Sequence, residues 1–263
     1  MQLIDIGANL AHDSFDTDRD PVIRRAMEAG VYRLVLTGSS ERSNLEALEI
    51  ARSWPGDLFS TAGVHPHHAT EYTDSVHQSI RALLDDRQVV AVGECGLDYF
   101  RDFSPREAQR EAFARQLELA VESGKPVFLH QRDAHRDFVD MLRPLLPNLN
   151  RGVAHCFTGN GDELRELLDL GLYIGITGWI CDERRGRHLA DIVGMIPDNR
   201  LMIETDAPYL LPRTLQPRPK TRRNEPAWLT EVLRVVAESR GQTVEHVAEV
   251  TTRTANSFFD LPR

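Results

Sequence analysis

Four short apolar runs in this sequence each lead into a side chain that can bind a metal ion or carry a proton. Those side chains are Glu94, His130, His155 and Asp206. Short runs of apolar and β-branched residues are typical of buried strands, and the carboxyl ends of parallel strands meet at one rim. Imidazoles and carboxylates together suit Zn²⁺, Mn²⁺ or Fe²⁺, and carboxylates also suit Mg²⁺. The recurrence therefore predicts a metal-dependent hydrolase.

All four residues are predicted metal ligands, and two of them are also predicted to be catalytic. A metal-bound water becomes more acidic, and Asp206 could bind the metal, accept the proton of that water, or do both; the catalytic role of Glu94 comes from the family resemblance given below. Each residue alone has a structural explanation, since a histidine after a strand is often only hydrogen-bonded and an Asp before Ala-Pro often starts a turn. Their repetition at four equivalent positions favours the metal site.

His65 follows another apolar run, within the stretch Gly-Val-His-Pro-His-His. It is predicted to contact substrate at the rim of the site, with a turn histidine fixed by Pro66 as the alternative. His67 and His68 are expected to be solvated.

A basic stretch follows the last predicted strand, and no acidic residue occurs in it before Glu225. Its basic residues are Arg213, Arg218, Lys220, Arg222 and Arg223. Arginine makes bidentate contacts with phosphate, and loops after the last two strands of a barrel often hold phosphate. We predict that Arg213, Arg222 and Arg223 bind a substrate backbone, with a solvated loop as the alternative.

Three aromatic residues, Tyr99, Phe100 and Phe103, follow Glu94 in the next predicted loop. Aromatic rings beside a nucleic-acid site can stack on bases. Packing of these rings within the loop is the alternative, and the sequence does not separate the two.

The elements that must position these residues alternate between strands and helices. Strands are predicted at 3–9, 32–37, 58–64, 89–94, 127–130, 152–155, 173–177 and 201–205. Helices are predicted at 20–29, 44–53, 76–85, 104–123, 134–146, 161–170, 185–195, 226–239 and 244–258. Eight such alternations predict an α/β fold, a (β/α)8 TIM barrel of the metal-dependent, amidohydrolase-like type, in one domain spanning 1–263. An open doubly wound sheet is the alternative, weakened because no Gly-x-Gly-x-x-Gly follows the first strand.

The helix predicted to begin near Ser104 carries the clearest local signal. Ser104 is expected to cap it, with Pro105 at the first helical position and Glu107 completing a capping box. Gly124 is expected to end it.

Composition narrows the class of protein. The net charge of −9 argues against a general DNA-coating protein but allows an enzyme with a locally basic cleft. Three scattered cysteines favour a reducing environment, hence a cytoplasmic location. Neither a signal peptide nor a membrane-spanning stretch is expected.

The motifs resemble those of the TatD family of metal-dependent deoxyribonucleases, over essentially the whole chain. The matching stretches are 63–66, 93–98, 130–134, 155–159, 204–210 and 222–226. The resemblance implies an amidohydrolase-type barrel and a Mg²⁺-dependent 3′→5′ exonuclease of single-stranded DNA, and of RNA as an option, with a part in DNA repair. It implies metal and catalytic roles for Glu94, His130, His155 and Asp206, and a substrate-side role for His65.

One departure from the family pattern lies on the first strand. Many relatives carry His-x-His there, whereas this chain has Gly7 and Asn9. Glycine offers no side-chain ligand and Asn9 only a neutral oxygen, so at most one tightly held ion is expected, and Asn9 is assigned to substrate binding. Mg²⁺ is the expected metal, with Mn²⁺ or Zn²⁺ as alternatives, in a protein expected to be a monomer with no membrane partner.

Two rival functions remain open at this point. One is a hydrolase of another ester or amide on the same barrel, such as a phosphotriesterase, lactonase, cyclic-amide hydrolase or aminoacyl-tRNA deacylase. The other is a non-catalytic metal-binding interaction module.

Overall fold

The computed structural model describes residues 1–262 and contains one eight-stranded parallel sheet, in which each strand pairs with the next along the chain. The strands are β1 (Leu3–Ala8), β2 (Val31–Leu36), β3 (Leu58–Ala62), β4 (Val89–Asp98), β5 (Val127–Arg132), β6 (Gly152–Ala154), β7 (Tyr173–Ile176) and β8 (Leu201–Ile203). The first and last strands meet through a parallel bridge between Ala8 and Ala207. The predicted barrel is confirmed.

Helices follow the strands and cover the outside of the barrel. They are α1 (Arg19–Glu28), α2 (Glu41–Ser53), α3 (Asp74–Leu83), α4 (Arg106–Ser123), α5 (His135–Leu142), α6 (Gly161–Asp169), α7 (Arg187–Ile192), α8 (Leu229–Arg240) and α9 (Val244–Phe258). Short 3₁₀ turns lie in several loops, including Pro66–Glu71 and Gly178–Cys181. Within residues 1–262, none of these helices combines the length and apolarity needed to cross a membrane.

The barrel interior explains why the site lies at one end only. The second residues of six strands form one buried cluster, namely Ile4, Phe59, Val90, Phe128, Val153 and Met202. Ala255, Phe258 and Phe259, at the end of α9, pack into the same cluster. Because a second residue lies near the start of its strand, α9 covers the amino-terminal end of the barrel and leaves the carboxyl-terminal end open.

The ends of several strands differ from the prediction in a way that matters for the site. β4 continues past Glu94 to Asp98, with a shift in its register against β5 between Val92 and Cys95. β6 and β8 instead stop before the residues predicted to be their ends. His155 and Asp206 therefore lie in the loops that follow their strands. The backbone has a positive φ at Asp206 itself and at Cys156, the residue after His155.

The predicted capping box of α4 is wrong. The helix begins at Arg106, Pro105 occupies the N-cap position, and no side chain caps it. Ser104 is buried and its hydroxyl donates to the carbonyl of His67 (2.9 Å), because this loop is held against the neighbouring loop and not against its own helix. The helix ends at Gly124 in the left-handed conformation, as predicted.

Candidate active site

A pocket of about 550 Å³ opens at the carboxyl-terminal end of the barrel. Its lining includes all of the residues predicted for the metal and for catalysis, together with His65 and Asn9: Asn9, His65, Glu94, His130, His155 and Asp206. Pockets of this size accommodate small ligands. The strands thus bring together residues that are far apart in the chain.

Glu94 lies at the centre of the site. Its Oε1 is 2.7 Å from Nε2 of His155, 3.1 Å from Nδ1 of His130 and 3.4 Å from Nε2 of His65. Three imidazoles therefore face one carboxylate oxygen. Burial alone would raise the pKa of Glu94, but His65 and His155 outweigh it and hold that pKa well below its usual range.

His155 is held from both sides by carboxylates. Its Nδ1 lies 3.3 Å from Oε2 of Glu204, a side chain with no exposed surface, while its Nε2 faces Glu94. Burial lowers the pKa of His155, but Glu94 and Glu204 together raise it well above the ordinary value. Glu204 can keep the proton on Nδ1 and so leave Nε2 available as a ligand, the usual arrangement behind a metal-binding histidine.

Glu204 also explains the glycine on the first strand. A Cβ at position 7 would collide with Oε2 of Glu204. The Glu204 carboxylate accepts a bond from the backbone N–H of Cys156 (2.5 Å) as well. Space beneath the site is therefore already filled by the residue that orients His155, so no larger residue fits at Gly7 in this arrangement.

His130 is oriented by a second carboxylate, Asp98, at the end of the extended β4. Nε2 of His130 lies 3.4 Å from Oδ2 of Asp98, and Nε2 of His67 lies 2.8 Å from the same oxygen. Burial raises the pKa of Asp98, but hydrogen bonding with His130 and His67 lowers it far more. His67 is half-buried in the pocket, so the expectation that it is solvated is wrong.

His65 fits a different role from that of His130 and His155. One ligand atom each from His65, Glu94 and His130 lie within 4.8 Å of one another, which makes His65 a geometric candidate for the metal. Its Nδ1, however, accepts the backbone N–H of His67 (3.0 Å). A neutral imidazole with Nδ1 as acceptor carries its proton on Nε2, and burial keeps the pKa of His65 well below the ordinary value. The Nε2–H of His65 therefore points into the site as a donor.

Asp206 is held in place by Asn9. The Asn9 amide donates to Oδ1 of Asp206 (2.9 Å), and the backbone N–H of Asp206 donates to the carbonyl of Gly7 (2.8 Å). Burial raises the pKa of Asp206 to about 7, with further contributions from Glu94 and Glu204. In this structure Asn9 contacts a catalytic candidate, and its assignment to substrate stays a prediction.

The donor set fits a divalent metal ion. Nδ1 of His130 and Nε2 of His155 both approach Oε1 of Glu94, and each ring has a carboxylate beside its other nitrogen. Mixed imidazole and carboxylate ligands bind several divalent ions. Asp206 lines the same pocket, and the assignment of Glu94, His130, His155 and Asp206 as ligands remains our prediction.

The basic residues of the loop after β8 are dispersed by the structure. Arg213 forms a two-bond pair with Glu183 (3.0 and 3.1 Å) and lines, with Arg222, a groove next to the pocket. That groove shares Trp179 and Leu210 with the pocket. Arg213 and Arg222 therefore lie on a path leading from the site.

Arg223, the third arginine predicted to bind substrate, is engaged in ion pairs within the protein, and its role toward substrate stays a prediction. Its guanidinium pairs with Asp18 (2.7 Å) and Glu225 (2.9 Å), and Arg25 pairs with the same glutamate. The guanidinium nitrogens of Arg223 are thus directed at carboxylates and at the carbonyl of Ser14. Residues 222–226 fold back on the start of α1, and this contact joins segments far apart in the chain, so no local pattern predicts it.

Several residues of the site were missed from the sequence. Glu204 and Asp98 orient the histidines, and Arg132, at the end of β5, lines the pocket. A signal existed for each, since both acids stand in the stretches that carry the family resemblance and Arg132 follows His130 by two residues on one strand face.

Comparison with known proteins gives matches over nearly the whole chain. The family model for TatD-related DNases matches residues 4–260. The protein named 3′-5′ ssDNA/RNA exonuclease TatD of Erwinia tasmaniensis is 49% identical over 259 residues, covering 98% of this chain and 100% of that protein. The one of Musicola paradisiaca is 50% identical over 259 residues, with 98% of each chain covered. The crystal structure of YjjV, a TatD homologue from Escherichia coli K12, superposes with a TM-score of 0.89 at 27% identity, covering 99% of this chain and 98% of that one.

Proposed function

Because the chain belongs to the TatD-related DNase family, we propose that it is a metal-dependent exonuclease that removes nucleotides from the 3′ end of single-stranded DNA or RNA. The observation that carries the proposal is the convergence of Glu94, His130 and His155 at the floor of an open pocket. Relatives that match this chain over their full length are named as exonucleases of this kind, which supports the proposal.

The metal would be held by Glu94, His130, His155 and Asp206. A divalent ion bound there would polarise the scissile phosphate and acidify a water molecule. Glu204 accepts from Nδ1 of His155 (3.3 Å) and Asp98 lies beside Nε2 of His130 (3.4 Å), and the two carboxylates keep these rings oriented. Mg²⁺ is the metal we propose, with Mn²⁺ and Zn²⁺ as the ions to compare with it.

The protein's own groups divide the remaining chemistry. Asp206, with a pKa near neutrality in the metal-free chain, accepts the proton of the attacking water. His65 donates its Nε2–H to a non-bridging phosphate oxygen, which becomes more negative as the bond to water forms. Asn9 fixes the rotamer of Asp206.

The groove beside the pocket provides a path for the strand. Arg213 and Arg222 line it, and the exposed Arg218 lies there too. Cationic side chains along a groove bind phosphates irrespective of sequence. A single strand fits this arrangement because it can bend from the groove into a pocket of limited volume.

Digestion of end-labelled oligonucleotides tests the proposal. Single-stranded DNA, RNA and duplex DNA are incubated with Mg²⁺, Mn²⁺, Zn²⁺ or EDTA. We expect stepwise shortening of 5′-labelled single strands and inactivity in EDTA that added metal reverses. Cleavage of a phosphotriester, lactone or cyclic amide at a higher rate would favour the rival hydrolase. Metal binding without turnover of any of these substrates would favour the interaction module.

Three further properties complete the proposal. With Gly7 closed to side chains by Glu204, at most one ion per chain should survive dialysis, as elemental analysis would measure. The three cysteines are free thiols, which suits a cytoplasmic protein. We propose a monomer that acts on damaged DNA ends, and light scattering and the sensitivity of a deletion strain to DNA damage are the corresponding tests.

A further inference from the structure

All exposed aromatic side chains in residues 1–262 surround the candidate active site. Phe103, Phe100 and Tyr209 are 68%, 53% and 51% exposed, and each lines the pocket. Single exposed apolar residues are ordinary, but a group of them at a pocket marks a binding surface. Aliphatic side chains of similar exposure lie elsewhere, for example Leu45.

The loop after β4 separates its aromatic residues into two kinds. Tyr99 is packed, since its hydroxyl donates to Asp137 (2.7 Å) and the Arg106 guanidinium covers its ring at 4.1 Å. Phe100 and Phe103 instead keep much of their surface open to the pocket. Tyr99 therefore follows one of the two alternatives raised by the sequence, packing within the loop. Phe100 and Phe103 remain accessible for stacking on a ligand.

The rings of Phe103 and Phe100 each contact a side chain that is itself part of the pocket. The ring of Phe103 lies 4.7 Å from that of His67, which is itself fixed by Asp98. The Arg132 guanidinium lies 4.5 Å from the Phe100 ring and 5.3 Å from Trp179. Rings held in this way lose little conformational freedom when a ligand stacks on them.

The charge beside these rings identifies the ligand. Among the described residues no carboxylate forms an ion pair with Arg132 or Arg101, although both line the pocket. These groups match a ligand that has a flat aromatic face with a negative charge beside it, and a nucleotide of the substrate proposed above has both. An unpaired base exposes the face needed for stacking, whereas a base within a duplex does not.

We infer that Phe103 and Phe100 form a stacking surface for the base at the 3′ terminus, next to a phosphate bound by Arg132. The inference rests on the proposed function and adds to it the part of the substrate that the pocket recognises. Recognition is of an aromatic base of any identity, because every base has a π face. It also gives a physical reason for preferring single strands.

The test compares two 5′-labelled single strands that differ only at the 3′ end, one with a normal nucleotide and one with an abasic tetrahydrofuran residue. We expect the parent protein to prefer the strand with the base. Phe103→Ala should lower kcat/KM for that strand by about 5- to 150-fold and leave the abasic strand nearly unchanged. Phe103→Tyr should restore the preference, and Leu45→Ala serves as the control of similar exposure.

A binding measurement keeps the stacking inference separate from the nuclease proposal. A strand ending in 2-aminopurine is titrated in EDTA, where no turnover occurs, and its fluorescence is quenched when the base stacks. We expect quenching by the parent and by Leu45→Ala, and its loss in Phe103→Ala and Phe100→Ala. Unchanged quenching in both variants, or equal loss of cleavage on the two strands, would overturn the inference. Absence of cleavage by the parent would count against the proposed function only.

Discussion

Two clusters of charged residues follow the carboxyl ends of the strands, and they differ in how many of their charged groups are already paired within the protein. In the pocket, one oxygen of Glu94 faces three imidazoles, and Arg132 has no ion-pair partner among residues 1–262. In the loop after β8, Arg223 meets Asp18 and Glu225, and Arg25 meets Glu225 with two bonds of 2.9 Å.

The difference separates binding from support. Groups crowded around one atom, or left without a counter-ion, can bind a ligand without first breaking an ion pair within the protein. Groups already paired with good geometry have to break those pairs first, and this offsets part of the free energy of the new contact. An arginine is therefore available to a ligand in the pocket, as at Arg132, whereas in the loop after β8 it supports the fold, as at Arg223.

The largest effect should come from the centre of the pocket. Glu94→Gln keeps the size of the residue but removes the charge that three imidazoles face. We expect loss of bound metal and a fall in activity of at least about 10⁴-fold, since water activation and charge neutralisation disappear together. Elemental analysis and initial rates measure this, with Glu49→Gln on the exposed face of α2 as the control. Retained metal and rate would show that Glu94 is not the central ligand.

Asp206→Asn should have the next largest effect. The variant keeps the shape of the side chain but cannot accept the proton of water, so kcat should fall by roughly 10²–10⁴-fold while KM changes little. Rates are measured at saturating metal, so that weaker metal binding does not contribute. A kcat close to that of the parent would exclude Asp206 as the base.

Exchange of the two arginines for methionine tests the comparison directly. Arg132→Met keeps an apolar stem between Phe100 and Trp179 but removes the charge, so affinity for single strands should fall, and the slope of log K against log salt should decrease by about 0.7. Arg223→Met should leave affinity and slope unchanged. Fluorescence anisotropy in EDTA at several salt concentrations measures both. The reverse result would restore Arg223 as a substrate residue.

The free energy of unfolding should respond in the opposite sense. Arg223→Met leaves Asp18 and Glu225 with one less counter-ion, at a cost of about 1–3 kcal/mol, between the values for exposed and buried pairs. Arg132→Met breaks no ion pair and should cost about 1 kcal/mol or less. Urea denaturation of both variants distinguishes these outcomes.

The smallest effect concerns pH and a buried acid below the site. Burial raises the pKa of Asp5 to about 8, so between pH 4 and 8 the folded protein holds a proton that the unfolded chain has lost. The contribution of Asp5 to stability is therefore complete below about pH 4 and is lost as the pH rises to 8.

Asp5→Asn should flatten that dependence. The amide oxygen can keep the bonds from the backbone N–H groups of Gly7 and Thr205, and the amide nitrogen can donate to the Thr205 hydroxyl. Denaturation at pH 5 and pH 8 should give a smaller difference in the variant than in the parent, and the exposed Asp57→Asn should behave as the parent. An equal difference in all three proteins would mean that Asp5 is ionised when folded.

Much of the fold followed from the sequence because its signals are local. Apolar runs separated by amphipathic stretches predicted all eight strands and the helices between them, with ends displaced by a few residues. The ends were harder, since β4 continues to Asp98 through pairing with β5 and Ser104 bonds to another loop. Both outcomes depend on neighbours that are distant in the chain.

The site divides in the same way. Position after a strand was enough to predict that Glu94, His130, His155 and Asp206 meet, because the carboxyl ends of parallel strands share one rim. Which nitrogen of each histidine faces the site was decided only by tertiary contacts: Glu204 and Asp98 behind two of them, and a backbone N–H behind His65. Charge alone could not distinguish Arg132 from Arg223, since the affinity of an arginine for a ligand depends on the carboxylates that the folded chain places beside it.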